Sequence, residues 1–183
     1  MSPDKTTLRA LARRRRVPAT MQLEDVERLR IFLDWLPAEP GVCATYVSVE
    51  GEPDTVALVD ALVARGWDVR LPVLRREPEW ARFSGWDKMR PAWRDIPEPT
   101  GPRLGPASLK DADVVLASCL AVDRDGFRLG VGGGWYDRAL ANRGNATVLA
   151  WSREAEVVDA VPREPHDVPC DGWVTERGVY KVH

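Results

Sequence analysis

The chain has 183 residues, of which 44% are hydrophobic and 30% charged, a composition typical of one globular domain rather than of a disordered polypeptide. Its 26 Lys and Arg residues nearly balance its 28 Asp and Glu residues, and the net charge of −2 argues against a dedicated nucleic-acid-binding protein. The three cysteines form no Cys-x-x-Cys pair, and no run of about 18 apolar residues is available to span a membrane. We therefore expect a soluble, cytoplasmic protein without a disulfide framework or a Cys/His zinc site.

Residues 1–36 are predicted to form a helical N-terminal arm of two helices. Ser2 and Pro3 suit the N-cap and the first position of the first helix. Pro18 separates this helix from a second one, in which apolar residues occur at spacings of three and four. The resulting stripe, which must pack against the rest of the protein, is formed by Leu23, Val26, Leu29, Leu33 and Leu36.

Strands and helices alternate through the remainder of the chain. A β-branched and aromatic stretch over 42–49 predicts a strand, and Asp54 is placed to cap a helix that ends at Gly66. Further strands are predicted at 67–73, 114–116, 146–151 and 173–175, and further helices at 133–142 and 153–160. This order predicts a single three-layer α/β domain over residues 1–183 with a mainly parallel sheet. Ligands of such sheets gather at the carboxyl ends of the strands.

Residues 75–107 interrupt this alternation. Six prolines forbid long elements in this stretch, while Trp80, Phe83, Trp86 and Trp93 supply large apolar surfaces. We predict an irregular, packed excursion that is able to line a pocket.

A glycine segment (residues 130–134) between a predicted strand and a predicted helix is the most informative part of the chain. Gly130, Gly132, Gly133 and Gly134 lie within five positions, and glycine lets the backbone approach a ligand closely and adopt positive φ. The amide groups of such a turn and of the following helix make a seat for an anion, most often phosphate. The segment is neither a Walker A loop nor a dinucleotide fingerprint, and a tight turn without a ligand is the alternative interpretation.

Charged and aromatic side chains surround the glycine segment. Asp137 follows it, where a carboxylate either holds Mg²⁺ beside a polyphosphate or merely complements the helix dipole. Lys5 and Arg9 lie four residues apart and therefore on one face of the first helix. They form either a solvated basic face or a cationic arm over a triphosphate. Trp135 and Tyr136 suit either the core or the walls of a site for a planar ligand.

Other candidate residues lie far from the glycine segment in the sequence. Glu52 follows the first strand, at the expected ligand edge, and is either a ligand-binding or an ordinary loop carboxylate. His166, Asp167 and Asp171 form either a hydrogen-bonded loop or a second contact to phosphate or metal. No Ser or Cys is matched with His166, so a covalent acyl intermediate is not expected.

Five short motifs occur in order along nearly the whole chain. The longest is Arg-Leu-Gly-Val-Gly-Gly-Gly-Trp-Tyr-Asp-Arg at 128–138. The others are Lys-Thr-Thr-Leu-Arg at 5–9, Glu-Pro-Asp-Thr at 52–55, Ile-Pro-Glu-Pro at 96–99, and His-Asp, Asp and Thr-Glu between 166 and 176. Together they resemble the motifs of the 5-formyltetrahydrofolate cyclo-ligases (methenyltetrahydrofolate synthetases), a family whose longest motif reads Arg-Leu-Gly-x-Gly-x-Gly-Tyr-Tyr-Asp-Arg.

The resemblance implies a reaction in which ATP and 5-formyltetrahydrofolate give 5,10-methenyltetrahydrofolate, ADP and phosphate, with Mg²⁺ required. The formyl oxygen, a poor leaving group, is expected to be phosphorylated before the other folate nitrogen closes the ring. Phosphoryl transfer depends on charge neutralisation and alignment more than on a protein nucleophile.

The resemblance assigns the ATP site to both ends of the sequence. The implied ATP-binding positions are Lys5, Arg9, Arg128, Leu129, Gly130, Val131, Gly132, Gly133, Gly134, Trp135 and Tyr136. Arg128 and Tyr136 are also the implied catalytic residues.

The metal and folate positions are implied in the same way. Asp137 and Asp171 are expected to hold Mg²⁺. Glu52 is expected to bind the pteridine ring of the folate, with Trp135 and Tyr136 beside it.

The chain departs from the family pattern at several positions. Trp135 stands where the family has a tyrosine, which removes a hydroxyl group and keeps an aromatic face. Ala117 and Ser118 stand where the family has a proline after the strand, and Val122 stands where it has a phenylalanine. These departures are expected to reshape the folate pocket.

Two other functions stay open at this point. One is a nucleotide- or RNA-binding module without folate turnover, supported by the basic stripe of the first 20 residues and by the eight tryptophans of the chain, which can stack on bases. The near-neutral net charge weighs against nucleic acid. The other is a ligase of the same fold that acts on a related pterin or amide.

Overall fold

Helices and short strands alternate along the part of the chain that the computed structural model describes, residues 4–16 and 18–182. The α-helices are α1 (Lys5–Arg15), α2 (Pro18–Trp35), α3 (Val56–Ala64) and α4 (Trp135–Leu140). The strands are β1 (Val42–Ala44), β2 (Asp68–Val73), β3 (Glu79–Arg82), β4 (Met89–Pro91), β5 (Pro97–Pro99), β6 (Val114–Ser118), β7 (Ala121–Asp123), β8 (Arg128–Leu129), β9 (Thr147–Trp151), β10 (Val157–Val158), β11 (Gly172–Thr175) and β12 (Gly178–Lys181). Short 3₁₀ helices lie at Trp86–Lys88, Trp93–Asp95, Pro106–Asp111 and Glu154–Glu156.

Seven of the strands form a central sheet in the order β12-β11-β9-β6-β1-β2-β3. The five inner strands, from β11 to β2, run parallel to one another, whereas β12 and β3 pair antiparallel at the two edges. The remaining strands form two small sheets, β10-β7-β8 and β4-β5. The prediction of an α/β fold with a mainly parallel sheet is therefore confirmed.

Apolar side chains on the two faces of the sheet pack against different helices. Leu116 of β6 belongs to a buried cluster with Phe32 of α2 and Leu58 of α3. Val115, one residue earlier in the same strand, belongs to a second cluster with Leu140 of α4. Because both faces of β6 are covered, its sequence is apolar nearly throughout, and helices, sheet and helix form three layers.

The first helix starts later than its sequence predicts. α1 begins at Lys5, where the side chain of Asp4 caps it by accepting a hydrogen bond from the Thr7 amide at 2.7 Å. The predicted cap residues Ser2 and Pro3 lie outside the described residues. Within the described ranges, no helix combines the length and the apolar character needed to cross a membrane.

The predicted apolar stripe of α2 is correct only in the second half of the helix. Leu29, Leu33 and Leu36 contact the core. Leu23, however, is 81% exposed and Val26 is 65% exposed. The first half of α2 therefore meets the protein through other side chains.

A fully buried arginine also lies on the inner face of α2. Arg28 Nε donates to the Ser152 carbonyl at 2.7 Å, and its two Nη atoms donate to Asp25 at 2.5 Å and to Glu176 at 3.3 Å. The spacing of apolar residues does not reveal polar packing of this kind. In the first half of α2, the apolar stripe therefore predicts the wrong face of the helix to be buried.

Several elements outside the inner strands also differ from the prediction. Residues 75–107 are not wholly irregular, because they supply β3 to the central sheet and the hairpin of β4 and β5. Residues 153–160 form a 3₁₀ turn and β10 instead of a helix, since the Glu156 side chain accepts the Arg153 amide at 3.1 Å and closes a single turn. The helix expected at 133–142 is only the six residues of α4, and β12 was not predicted.

The predicted cap of α3 is confirmed and gives a stability prediction. Asp54 accepts the Val56 amide on one carboxylate oxygen and the Ala57 amide on the other, each at 3.0 Å. We expect Asp54→Ala to lower the free energy of unfolding by about 1 kcal/mol, because two amides at the start of the helix lose their acceptor. Urea denaturation measures this, with the exposed Asp159→Ala as a control of equal charge change. Equal losses in both variants would contradict a capping role.

Candidate functional site

A large cavity of about 620 Å³ opens at the carboxyl ends of the central strands, as predicted for ligands of this fold. Tyr46 follows β1 at its wall, Leu74 follows β2, and Ser118 ends β6. Trp135 and Tyr136, at the start of α4, complete this part of the wall. The volume and the mostly apolar walls suit a planar, multi-ring ligand.

Glu52 is the carboxylate in the wall of this cavity. Its Oε2 accepts a hydrogen bond from the Val49 amide at 3.1 Å, and Oε1 accepts none from the described residues. Burial raises the pKa of Glu52 above its usual 4.5, and the bond from Val49 and the charge of Arg16 oppose this shift only in part. A half-buried carboxylate with a free oxygen is suited to a ligand that presents N–H donors.

Two aromatic side chains border the cavity next to the glycine segment. The ring of Trp135 packs edge-on against Trp80 at 5.3 Å and against Tyr136 at 5.2 Å between centroids. The buried indole N–H of Trp135 has no hydrogen-bond partner among the described residues. Burial raises the pKa of Tyr136 well above its usual 10, so its hydroxyl stays protonated. The hydroxyl donates to the Leu116 carbonyl at 3.4 Å, a long hydrogen bond that it can exchange for a closer acceptor on a ligand.

The glycine segment needs glycine at two of its positions. Gly132 has φ +115°, and a Cβ there would lie 3.7 Å from the guanidinium carbon of Arg9. Gly134 has φ +59° and immediately precedes α4. None of the amides of residues 130–134 donates to another described residue, so these groups are available to an anion. The six-residue α4 adds little of the helix dipole that the longer predicted helix would supply.

A polar hollow of about 70 Å³ lies against the glycine segment. Its lining includes Lys5, Arg9, Arg128, Asp137, Glu164, His166 and Asp167. A further recess of about 80 Å³ shares Trp135 and Tyr136 with the large cavity and Asp137 with the polar hollow. The glycine segment is thus a common wall between an apolar space and a polar one.

Lys5 and Arg9 do not form a solvated basic face, because α1 turns both side chains onto this site. Lys5 Nζ donates to Asp167 at 2.8 Å and lies 3.2 Å from Glu164. Arg9 Nε donates to the carbonyl of Gly130 at 2.9 Å. The structure therefore brings the N-terminal arm to the glycine segment.

Arg128 holds Asp137 in place beneath the glycine segment. Its Nη2 donates to Asp137 Oδ1 at 2.8 Å and its Nη1 to the carbonyl of Val168. The Val168 amide donates to the same Oδ1 at 3.1 Å. With only 4% of its side chain exposed, Arg128 is a support, whereas Asp137 Oδ2 accepts no hydrogen bond from the described residues.

Asp171 does not lie with Asp137, contrary to the metal pair that the resemblance implies. Its carboxylate accepts the Val148 amide at 2.8 Å and Arg143 Nη1 at 2.9 Å, at the amino ends of β9 and β11. Asp167 lines the polar hollow beside Asp137 instead. The resemblance names Asp171 and not Asp167 as the partner of Asp137, and a motif does not show at which end of the strands a residue lies.

Some other implied positions also face the core. Leu129 is buried in a small cluster, so only its backbone can reach a ligand. Among the departures from the family pattern, Ala117 and Val122 are fully buried in the core, while Ser118 lines the large cavity. Of the replaced positions, Ser118 and Trp135 are therefore the ones that border the cavity.

Known proteins resemble this chain in both sequence and structure. The family model described as the 5-formyltetrahydrofolate cyclo-ligase family matches residues 2–176. A protein of Mycolicibacterium smegmatis named 5-formyltetrahydrofolate cyclo-ligase is 39% identical, over 98% of this chain and 98% of that protein.

Two solved structures extend the comparison. The NMR structure of the 5,10-methenyltetrahydrofolate synthetase of Aquifex aeolicus superimposes with a TM-score of 0.82 at 26% identity, covering 98% of this chain and 93% of that one. The synthetase of Mycoplasma pneumoniae shares the fold, with a TM-score of 0.75 at 17% identity over 95% of this chain and 99% of that one. With the family model matching nearly the whole chain, the protein belongs to the 5-formyltetrahydrofolate cyclo-ligase family.

Proposed function

We propose that the protein uses ATP to convert 5-formyltetrahydrofolate to 5,10-methenyltetrahydrofolate. One observation carries the proposal beyond family membership. An apolar cavity that contains one half-buried carboxylate and a polar hollow that contains cations both border the glycine segment, and the recess along that segment shares lining residues with each. Two chemically different ligands can therefore meet at this segment, as a direct phosphoryl transfer between them requires.

The folate fits the large cavity. The amino-pyrimidinone edge of its pteridine presents N–H donors to the free oxygen of Glu52, and such charge-assisted hydrogen bonds are strong in a desolvated site. Trp135 and Tyr136 provide aromatic contact for the ring beside the glycine segment. This arrangement directs the formyl group toward that wall.

The phosphates of ATP fit the polar hollow. Lys5 and Arg9 approach from α1, and the free amides of residues 130–134 are donors for phosphate oxygens. The nucleotide then lies on the opposite side of the glycine segment from the folate.

The donors of the polar hollow also fit Mg²⁺. Three cationic and three acidic side chains line it, so its side chains alone do not neutralise the charge of a triphosphate. Asp137 has a free carboxylate oxygen, and Asp167 lies in the same hollow. Carboxylates are the protein ligands that Mg²⁺ prefers. Asp137 and Asp167 would hold the ion, which would neutralise phosphate charge during transfer.

The reaction proceeds in two steps. The formyl oxygen attacks the γ-phosphorus and displaces ADP, and the second folate nitrogen then attacks the activated formyl carbon. That nitrogen loses its proton, and phosphate leaves with the former formyl oxygen. We assign Tyr136 the role of hydrogen-bond donor to the reacting oxygens, and Arg128 the role of positioning Asp137.

The test is turnover by the purified protein. With Mg²⁺, ATP and 5-formyltetrahydrofolate, we expect the near-ultraviolet absorbance of the methenyl product to grow in step with ADP, and omission of any one component to stop it. Absence of product with all three present would overturn the proposal. ADP formation without folate would instead indicate a nucleotide hydrolase.

A further inference from the structure

A second polar feature of the large cavity is basic. Arg75 and Arg76 follow β2 and both line this cavity. Glu52, by contrast, lies in the segment between β1 and α3 and is the only carboxylate among the described residues that line the cavity. The cavity lining therefore combines one carboxylate with two arginines from a different segment, and the rest of it is mostly apolar.

Arg75 is fixed in position by a buried carboxylate. Its two Nη atoms donate to the two oxygens of Glu98 at 2.9 and 3.0 Å, and Arg90 donates to the same Glu98 at 2.9 Å. The Glu98 side chain is only 2% exposed, whereas that of Arg75 is 40% exposed. Two arginines share one carboxylate, so this group keeps a net positive charge.

Arg76 adds a second, uncompensated charge. It is exposed and makes no ion pair or hydrogen bond with a described residue. A guanidinium with nothing to bind at the mouth of a ligand cavity is free to bind an anionic part of the ligand. Arg75, Arg76 and Arg90 together carry three positive charges against the single negative charge of Glu98.

We infer that Arg75 and Arg76 form a subsite for the carboxylates of the glutamyl tail of the folate, with Arg76 as the residue that determines specificity for that tail. The inference rests on the proposed function, because it takes the large cavity as the folate site. A reduced folate has a donor-rich pteridine at one end, an apolar aminobenzoyl ring in the middle and two carboxylates at the other end. The cavity offers a group for each part: Glu52 for the pteridine, apolar walls for the ring and the two arginines for the carboxylates.

The experiment compares two ligands that differ only in the tail, 5-formyltetrahydrofolate and 5-formyltetrahydropteroate, which lacks the glutamate. Their dissociation constants are measured by calorimetry and their KM values by turnover. We expect the wild-type protein to bind the glutamyl ligand roughly tenfold more tightly, and this preference to shrink as salt is added. Equal affinity for both ligands would overturn the subsite.

The matched variants are Arg76→Gln and Arg124→Gln. Arg124 is an exposed arginine on the turn between β7 and β8, with no ion pair to a described residue, so its loss reproduces the charge change away from the cavity. We expect Arg76→Gln to weaken the glutamyl ligand about fivefold, leave the pteroyl ligand and kcat unchanged, and differ from Arg124→Gln in this respect. Equal weakening of both ligands by Arg76→Gln would contradict a tail-specific role.

Binding and turnover separate this inference from the proposed function. If the wild-type protein prefers the glutamyl ligand but cyclises neither, the proposed function fails and the subsite stands. If it cyclises both ligands with equal KM and equal affinity, the subsite fails and the proposed function stands. If it binds neither ligand, both are overturned.

Discussion

Asp137→Asn is expected to lower kcat about a hundredfold or more while leaving the fold intact. The amide keeps an oxygen to accept from Arg128 and from the Val168 amide, as the carboxylate does at 2.8 and 3.1 Å. It replaces the free Oδ2, however, with a neutral donor that cannot hold a cation. Single-turnover rates at saturating ATP and folate measure the effect, and circular dichroism checks the fold.

The two other carboxylates named for the metal provide the controls. Asp167 lines the same hollow as Asp137. Asp171 instead pairs with Arg143 at the amino ends of β9 and β11. Asp167→Asn should therefore also reduce kcat strongly, and Asp171→Asn should change it less than about twofold. A large loss of kcat in Asp171→Asn with normal turnover in Asp167→Asn would refute this placement of the metal.

Glu52→Gln is expected to weaken folate binding by about thirty- to a hundredfold and, at neutral pH, to stabilise the protein. The loss of affinity follows because a neutral amide makes weaker hydrogen bonds to the pteridine and presents its own N–H₂ group to ligand donors. The gain in stability follows because burial raises the pKa of Glu52, so folding disfavours its ionised form.

The pH dependence gives the sign of the stability effect. Between the usual pKa of 4.5 and the raised pKa of the folded state, the unfolded chain loses this proton more readily than the folded protein does. The free energy of unfolding of the wild type therefore falls as the pH rises through this interval. Below the usual pKa of 4.5, the carboxyl group is protonated in the folded and the unfolded state, so Glu52 no longer lowers the free energy of unfolding. Glu52→Gln should thus be more stable than wild type at pH 7 and equal to it near pH 4. Glu50→Gln, an exposed loop variant, should show no difference at either pH.

The sequence predicts the inner sheet well because its signal is local. Val114–Ser118 and Thr147–Trp151 are apolar on both faces, so neither solvent exposure nor a helical period competes with a strand. The cap at Asp54 is likewise local, because a side chain two or three residues away supplies the acceptor. Elements of this kind can be predicted from neighbouring residues alone.

The remaining errors come from contacts between distant segments. β3 exists because β2 offers it an edge, and α2 turns its charged face inward because Ser152 and Glu176 receive Arg28 from far along the chain. The spacing of residues within β3 or α2 reveals none of these distant partners. The same holds for the candidate site, where the motifs name residues that line the cavity and the polar hollow, but only the fold shows that Asp167 and not Asp171 lies beside Asp137.

The short antiparallel strands at the two ends of the central sheet bear on how copies of this protein behave when crowded together. Unpaired backbone groups at such a margin invite a neighbouring molecule to add its own strand. At β3, the Leu104 amide already occupies the Trp80 carbonyl at 2.8 Å, and β12 spans only four residues and ends in Lys181. β12 is therefore too short and too charged, and β3 too well covered by the segment around Leu104, to favour polymerisation through the sheet.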